Sequence, residues 1–394
     1  MPIYLDHAAT TPLRREALDA MLPYLTEGFG NPSSAHSYGR TARAALDEAH
    51  ERVARCLNAE GREIVFTSGG TEANNLALKG AAWAGKGHGH RIVSSAVEHH
   101  AVGHTLRYLE KFGFEVVELP VDRYGRVDPG ELESAINDRT VLVSIMLANN
   151  EVGTIQPIAE IAAVVRTTKG VLFHVDAVQA APYLDLDVDR LGADLVSLGA
   201  HKFEGPKGVG ALYVRHGTHI LAQQQGGSQE RHRRAGTENV AGAVGLATAF
   251  ELACAERPET AARLRRQRDR LAKAVLAIPG TESTGHPKER LPGLFSMLAR
   301  DTDGASVAMS LDLEGIACSV GSACMTGSTE VSHVLTAMGY PEDESRGALR
   351  LSLGRTTTDE EITQACAIVP RVVASMRLGT MAVAADPLGQ GVPA

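Results

Sequence analysis

Cysteine is sparse in this chain: five residues in 394, at positions 56, 254, 318, 324 and 366, with no Cys-x-x-Cys pair. An odd and scattered set excludes a disulfide framework and a structural zinc site of the usual spacing, and reduced thiols are the expectation. No apolar run reaches the roughly 18 to 20 residues of a membrane span, and MPIYLDHAATTP lacks a basic stretch followed by an apolar one. A cytoplasmic protein with no membrane partner is therefore expected. Long runs of one charge sign are also missing, and 39 Lys+Arg against 47 Asp+Glu leaves a net charge of −8. That balance offers no electrostatic footprint for DNA, RNA or anionic lipid. What is present is the composition of a soluble globular chain: 44% hydrophobic, 22% charged, 40 Gly and 17 Pro. Disordered, collagenous and coiled-coil classes are excluded, and at roughly 150 residues per domain the length suggests two or three domains.

Short apolar runs alternate with amphipathic stretches from about residue 14 to 255: EIVFT (63–67), RIVSS (91–95), EVVEL (115–119), TVLVSIML (140–147), VLFHVDA (171–177), DLVSLGA (194–200) and GALYV (210–214). Several are too apolar for half-exposed strands. Separated by helical patterns such as ARAALDEAHERVARCL, they imply seven strands covered on both faces, hence an α/β fold with a mainly parallel sheet. Ligands then belong at the carboxyl ends of those strands. Around 251–280 the pattern becomes a long charged helix with Pro258 near its start, so a boundary near 257 separates a large domain, 14–257, from a smaller α+β one, 1–13 with 258–378. The last stretch, 379–394, is small-residued and aperiodic and reads as a flexible tail.

FTSGGTEANN joins an apolar strand end, a glycine pair, Thr71 and a helical pattern, an arrangement whose free backbone N–H groups suit a phosphate. An ordinary βα turn capped by Thr71 reads the same way, and no Gly-Lys-Ser/Thr makes it a Walker loop. Asp176 follows a strand too apolar to be exposed, as a helix cap or as partner of a buried cation. Lys202 ends another strand after His201, where desolvation makes lysine an amine nucleophile toward a carbonyl; a plain surface lysine is the alternative. Together, phosphate cradle, strand-end acid and strand-end lysine match the needs of pyridoxal phosphate, and His99 at a strand-to-helix junction can stack on its ring and shuttle protons. His100 and His104, spaced i, i+4 without an HExxH acid, read as helix-surface residues rather than metal ligands.

GIACSVGSACMTGS, 315–328, sets Cys324 among Gly, Ser, Ala and Thr. An accessible thiol is normally avoided unless its reactivity is used, which makes Cys324 the candidate nucleophile on a mobile loop. Cys318, in an apolar run, reads as a small buried hydrophobe. Arg350, in the alternating ALRLSLGR, can grip a carboxylate bidentately or serve a surface ion pair.

Ten segments in order, YLDHAATTP, FGNPSSAHSYGR, FTSGGTEANN, VEHHAV, ANNEVGTIQPI, HVDAVQ, HKFEGPKGVG, QERHRRAGTENV, GSACMTGS and LRLSLGR, make the chain resemble a cysteine desulfurase of the NifS/IscS type over about residues 2–378. This is a class V aminotransferase group of fold-type-I pyridoxal phosphate enzymes. The resemblance implies removal of sulfur from L-cysteine, leaving L-alanine and a persulfide on Cys324 that passes to an acceptor such as an iron–sulfur scaffold protein. It implies Lys202 as the lysine that bonds the cofactor, His99 as the ring-stacking acid/base, and Asp176 and Gln179 on the pyridine nitrogen and phenolic oxygen. Gly70, Thr71 and His201 would hold the phosphate, with Thr237 of a neighbouring subunit, hence a homodimer. Asn150, or the adjacent Asn149, would lie beside the cofactor, and Arg350 would bind the substrate carboxylate. A selenocysteine lyase or an aminotransferase on the same fold is the near alternative, a non-catalytic interaction protein the remote one. Two departures stand out. Gly199 and Ala200 replace a hydroxyl or thiol residue and a Gly before His-Lys, removing a phosphate hydrogen bond. Val320 and Met325 flank GSAC where small polar residues are usual. The sulfur-accepting pathway is not legible in these motifs.

Overall fold

The computed structural model describes residues 2–321 and 331–385. Its twelve strands are β1 (Ile3–Tyr4), β2 (Ile64–Thr67), β3 (Arg91–Ser95), β4 (Glu115–Leu119), β5 (Thr140–Met146), β6 (Leu172–Asp176), β7 (Leu195–Gly199), β8 (Gly210–Val214), β9 (Thr281–Ser283), β10 (Leu294–Ala299), β11 (Ile316–Ala317) and β12 (Ala348–Ser352). All seven apolar runs read from the sequence are strands, each within one residue at either end, and they form one sheet in the order β2-β8-β7-β6-β5-β3-β4. Only β8 runs against the rest. Alternate residues of each strand enter different cores. Ile64, Phe66, Val93, Phe173 and Val175 pack on one face, while Val65, Ile92, Leu142 and Leu195 pack on the other beneath the helix Gly70–Gly85. Such two-sided burial is why these strands lack polar alternation.

Because β8 is antiparallel, its first residue lies at the same sheet edge as the carboxyl ends of the other six strands. Gly210 there approaches the turn after β2 so closely that a Cβ would sit 2.5 Å from the Gly69 carbonyl carbon and 2.6 Å from Leu198 O. Gly69 itself has φ of 154°, a region that only glycine enters easily. The two glycines let the phosphate-type turn lie flat on the sheet edge.

A separate core gathers Leu5 and Ile3 of the N-terminal segment, β10 and β12, and the helices Gly304–Leu313 and Asp359–Ala385. β9, β10 and β12 form an antiparallel sheet, and β1 pairs in parallel with β11. One helix, Val240–Val275, serves both cores: Leu246, Ala247 and Phe250 lie in the first, Leu264, Leu271 and Val275 in the second. Pro258 therefore falls in mid-helix rather than near its start. The stretch VAGAVGLATAF is apolar on every side and hides its helical period, so the first turns are not legible as helix. The aperiodic reading of 379–394 also changes, since the last helix runs to Ala385 through good helix formers such as Ala and Met. Among the described residues no helix is long and apolar enough to cross a membrane.

Gly210→Ala places its new methyl group against backbone that cannot rotate away. The variant is expected to lose about 1–3 kcal/mol of stability, the usual range for overpacking, measured by urea denaturation of wild type and variant side by side.

Candidate active site

The carboxyl edge of the large sheet opens into a cavity of about 540 Å³. Each wall is the residue or short turn that follows a strand. After β2 come Ser68, Gly69, Gly70 and Thr71; after β3, His99; after β5, Asn150; at the end of β6 Asp176 and after it Gln179; after β7, His201 and Lys202. Lys207 to Val209 lead into β8, and Arg350 arrives from β12. Nine of the eleven residues singled out in the sequence thus line one space. Thr237 is exposed and is not part of this lining, and Cys324 lies outside the described residues, as does Met325.

Asp176 closes the middle strand of the sheet and is 6% exposed. Its Oδ2 accepts from Asn74 Nδ2 at 2.6 Å and its Oδ1 from Val178 N at 3.0 Å. Gln179 is also buried, and its Oε1 has no partner among the described residues, as is true of Asn74 Oδ1. Unmatched polar atoms lining a cavity indicate a ligand that completes them. At the helix Gly70–Gly85 the first N–H groups are open, as at any helix N-terminus, and a Cβ at Gly69 would meet nothing. Glu72 in that first turn accepts from Ser68 N and from Arg234 Nε at 2.9 Å, so its charge is met by a guanidinium. A side chain at Gly199 would start 3.5 Å from Gly70 N. The departure at that position therefore bears directly on the anion cradle.

Lys202 Nζ donates to Ala8 O at 2.5 Å and to Ala9 O at 2.9 Å. His201 Nδ1 is hydrogen-bonded to Thr10 Oγ1, and burial together with the charges of Lys202 and Lys207 pushes its imidazole down to about 4. It is neutral at neutral pH. Burial likewise lowers the imidazole of His99, opposed by Asp176 and reinforced by Lys202. His99 Nδ1 accepts from Ala101 N, capping the helix His100–Glu110, so the proton of the neutral ring lies on Nε2. Arg350 is 1% exposed; its Nη1 donates to Asn150 O and its Nη2 to Asp6 Oδ1, both at 2.9 Å, while Nε has no described partner. Arg350 thus brings a buried guanidinium to the cavity wall, a group whose planar donors suit a carboxylate. Of the two asparagines, Asn149 has its amide bonded to Val97 O and to the N–H groups of Glu151 and Val152, away from the cavity. Asn150 is the one that lines it.

Sequence reasoning missed the segment Asp6 to Thr10, which supplies the partners of Arg350, Lys202 and His201. Asp6, His7 and Thr10 there lie in no long apolar strand or glycine turn that would mark them, and Ala8 and Ala9 contribute only carbonyls. It missed Asn74, whose position one turn into the helix after the glycine pair was the available signal. Glu98 was missed too: it is buried, its Oε1 accepts from Ser95 Oγ at 2.6 Å and from Met146 N at 2.9 Å, and burial pushes its carboxyl up to about 8. Cys318 is packed against the second core and burial pushes its thiol up to about 12, an inert state. His100 and His104 lie 5.0 Å apart, with His333 4.8 Å from His100, yet among the described residues no group of side chains forms a metal site.

With this geometry in hand, the class of protein is clear: the sequence profile of the class-V aminotransferases matches residues 3–364, and the chain belongs to that family of pyridoxal phosphate enzymes. Within it the chain belongs to the IscS/NifS group. It is 51% identical over 375 residues to a protein named cysteine desulfurase IscS from Methanosarcina thermophila, covering 95% of this chain and 93% of that one. A solved structure named NifS-like protein superposes with a TM-score of 0.90 at 37% identity, over 95% of this chain and 100% of the other. Another, described as SspA in complex with cysteine, gives 0.79 at 34% identity, over 90% and 100%. The cavity fits the family's cofactor, with an acid, a lysine, an anion cradle and unmatched polar atoms on its walls.

Glu98 yields a pH prediction. Between its ordinary value of 4.5 and about 8 the folded chain keeps a proton that the unfolded chain has released, so this group makes stability fall as pH rises through that window. Glu98→Gln keeps an acceptor for Ser95 and Met146 and removes the titration. Thermal melts at several pH values are expected to show the variant gaining on wild type as the buffer is moved from acid toward pH 8; parallel curves would contradict it.

Proposed function

We propose that this protein is a homodimeric cysteine desulfurase of the cytoplasm, which takes the sulfur of L-cysteine onto Cys324, leaves L-alanine, and donates the sulfur to an acceptor protein such as an iron–sulfur scaffold. The observation that carries the reading is the meeting of Lys202, Asp176, His99 and Arg350 in one cavity. In this reading residues 14–257 form the cofactor-binding domain and 1–13 with 258–378 the small domain that brings Arg350 and Cys324 to the site.

Asp176 would face the pyridine nitrogen, Gln179 the phenolic oxygen, and Gly70, Thr71 and His201 the phosphate, with Thr237 reaching it from the neighbouring subunit. When bound, pyridoxal phosphate supplies an electron sink for the pair left on Cα when its proton departs. Asp176, held by Asn74 and Val178, keeps a negative charge where the sink must stay positive. Arg350, pinned by Asp6 and Asn150 at the cavity wall, would hold the substrate carboxylate through its guanidinium and so fix Cα near Lys202. The Lys202 amine takes the Cα proton. His99 keeps Nε2–H as a donor into the cavity, since its Nδ1 is engaged with Ala101 N. The Cys324 thiolate attacks the substrate sulfur; an S–S bond forms, the substrate C–S bond breaks, and the carbon left behind takes up protons on the way to alanine. The neutral His201 binds an anion as a hydrogen-bond donor without adding charge.

Wild type and Cys324→Ala, compared at equal cofactor occupancy under reductant, test the reading. Wild type is expected to release alanine and sulfide in equal amounts from L-cysteine, and the variant to lose at least about a hundredfold, the scale seen when a covalent nucleophile is removed. Equal rates in both would overturn the persulfide role in favour of a lyase or aminotransferase.

A further inference from the structure

Two cysteines far from the cavity in sequence and unused by the mechanism lie together on adjacent helices. The helix Ser37–Leu57 runs parallel to the first half of the helix Val240–Val275. Their contacts keep one register: Arg43 donates to Glu238 at 3.1 Å, Arg52 to Thr248 at 3.1 Å and to Glu251 at 2.6 Å, partners 195 to 199 residues apart. One turn further along both helices that register brings Cys56 beside Cys254, close enough for each thiol to shift the acidity of the other. Both are half-buried against the first core. Arg257 Nη2 donates to Cys254 Sγ at 3.0 Å, and its guanidinium also lies 3.6 Å from Asp185 and 3.4 Å from Ala181 O, which fix its position.

The pair is chemically asymmetric. The Arg257 guanidinium directs a donor at Cys254 Sγ and, with the neighbouring Cys56 thiol, favours the Cys254 thiolate, so Cys254 is more acidic than an ordinary thiol. Cys56 is held well above the usual thiol range by its neighbour Cys254 and by burial, and Cys318 and Cys366 are raised by burial. A thiolate paired with a resolving thiol is the arrangement that thiol oxidation exploits.

We propose that Cys56 and Cys254 are a reversible dithiol site that a hydroperoxide converts to an intramolecular disulfide. The Cys254 thiolate attacks one peroxide oxygen; the S–O bond forms as the O–O bond breaks, and with one proton the leaving oxygen departs as water. The Cys56 sulfur then attacks Cys254 sulfenic acid; the S–S bond forms as the S–O bond breaks, and the Cys56 proton leaves with the second water. Two thiols lose two electrons and two protons, and hydrogen peroxide is reduced to two waters. The bond staples the helix Ser37–Leu57 to the helix that threads both cores. It does not depend on the function proposed above, and Cys324 takes no part in it.

The test treats the purified holoprotein with a small excess of hydrogen peroxide, alkylates the remaining thiols, digests without reductant and identifies cysteine peptides by mass. A cross-linked peptide pair holding Cys56 and Cys254, two hydrogens lighter than the sum of its parts and abolished by dithiothreitol, is expected. In Cys56→Ser, Cys254 should run on to sulfinic acid instead, and in Cys254→Ser, Cys56 should remain alkylatable. Arg257→Gln should slow the oxidation, because the guanidinium that favours the Cys254 thiolate is gone. Recovery of both residues as alkylated thiols, or a disulfide from either to a third cysteine, would overturn the proposal. An unchanged rate in Arg257→Gln would overturn Cys254 as the attacking thiolate. Because Cys56 and Cys254 are identified on peptides that do not contain Cys324, oxidation of Cys324 does not enter the result.

Discussion

A carboxylate at the end of the middle strand, with only 6% of its surface exposed, is the constraint around which this molecule is arranged. Removing a partner from a buried charge costs about 3–5 kcal/mol, against roughly 0.2–1 kcal/mol for exposed ion pairs such as Arg15–Asp19. Asp176 is therefore tolerable only where donors are brought to it. Asn74 and Val178 supply two, and the cavity in front leaves room for a cation. The register Met146↔Asp176↔Ser197 puts the neighbouring strand ends level with it, so the residues that follow β5 and β7 arrive at the same place.

The same reasoning extends to the other charged groups of the site. The Arg350 guanidinium is nearly inaccessible, and among the described residues two hydrogen bonds hold it, to Asp6 and Asn150. Both partners come from outside its own sheet, so the guanidinium ties the N-terminal segment and the loop after β5 to β12. His99 and His201 are kept neutral by burial and nearby lysine charge, which leaves them as donors and acceptors rather than as competing cations. A site that must hold an anion beside a lysine gains from histidines that add no charge of their own.

Much of the fold was legible because it rests on patterns of short range. The runs of the large sheet are largely apolar since both faces are covered, the edge strand β4 with its exposed Glu118 excepted, and each is bounded by turn residues. Asp176, Lys202 and Arg350 stood out because a charge in an apolar context needs a reason. The start of the helix Val240–Val275 was hidden because a uniformly apolar stretch carries no period. Asn74, Asp6 and the carbonyls of Ala8 and Ala9 were hidden because their roles come from position, not residue type. Glu98, next to His99 in VEHHAV, gave no sign that its carboxylate would be buried.

The sequence by itself determined which segments are strands, that the sheet is covered on both sides, and which titratable groups sit at strand ends, because strand length, two-sided burial and strand-end charge are written in local hydrophobic pattern. Only the tertiary structure decided that β8 runs backward so that Gly210 can meet Gly69, that Asn150 rather than Asn149 faces the cavity, and that residues 6–10 close the site around Lys202 and Arg350. It also decided that Cys56 meets Cys254. These are contacts between segments up to several hundred residues apart, fixed by strand register and helix packing, and no local pattern encodes them.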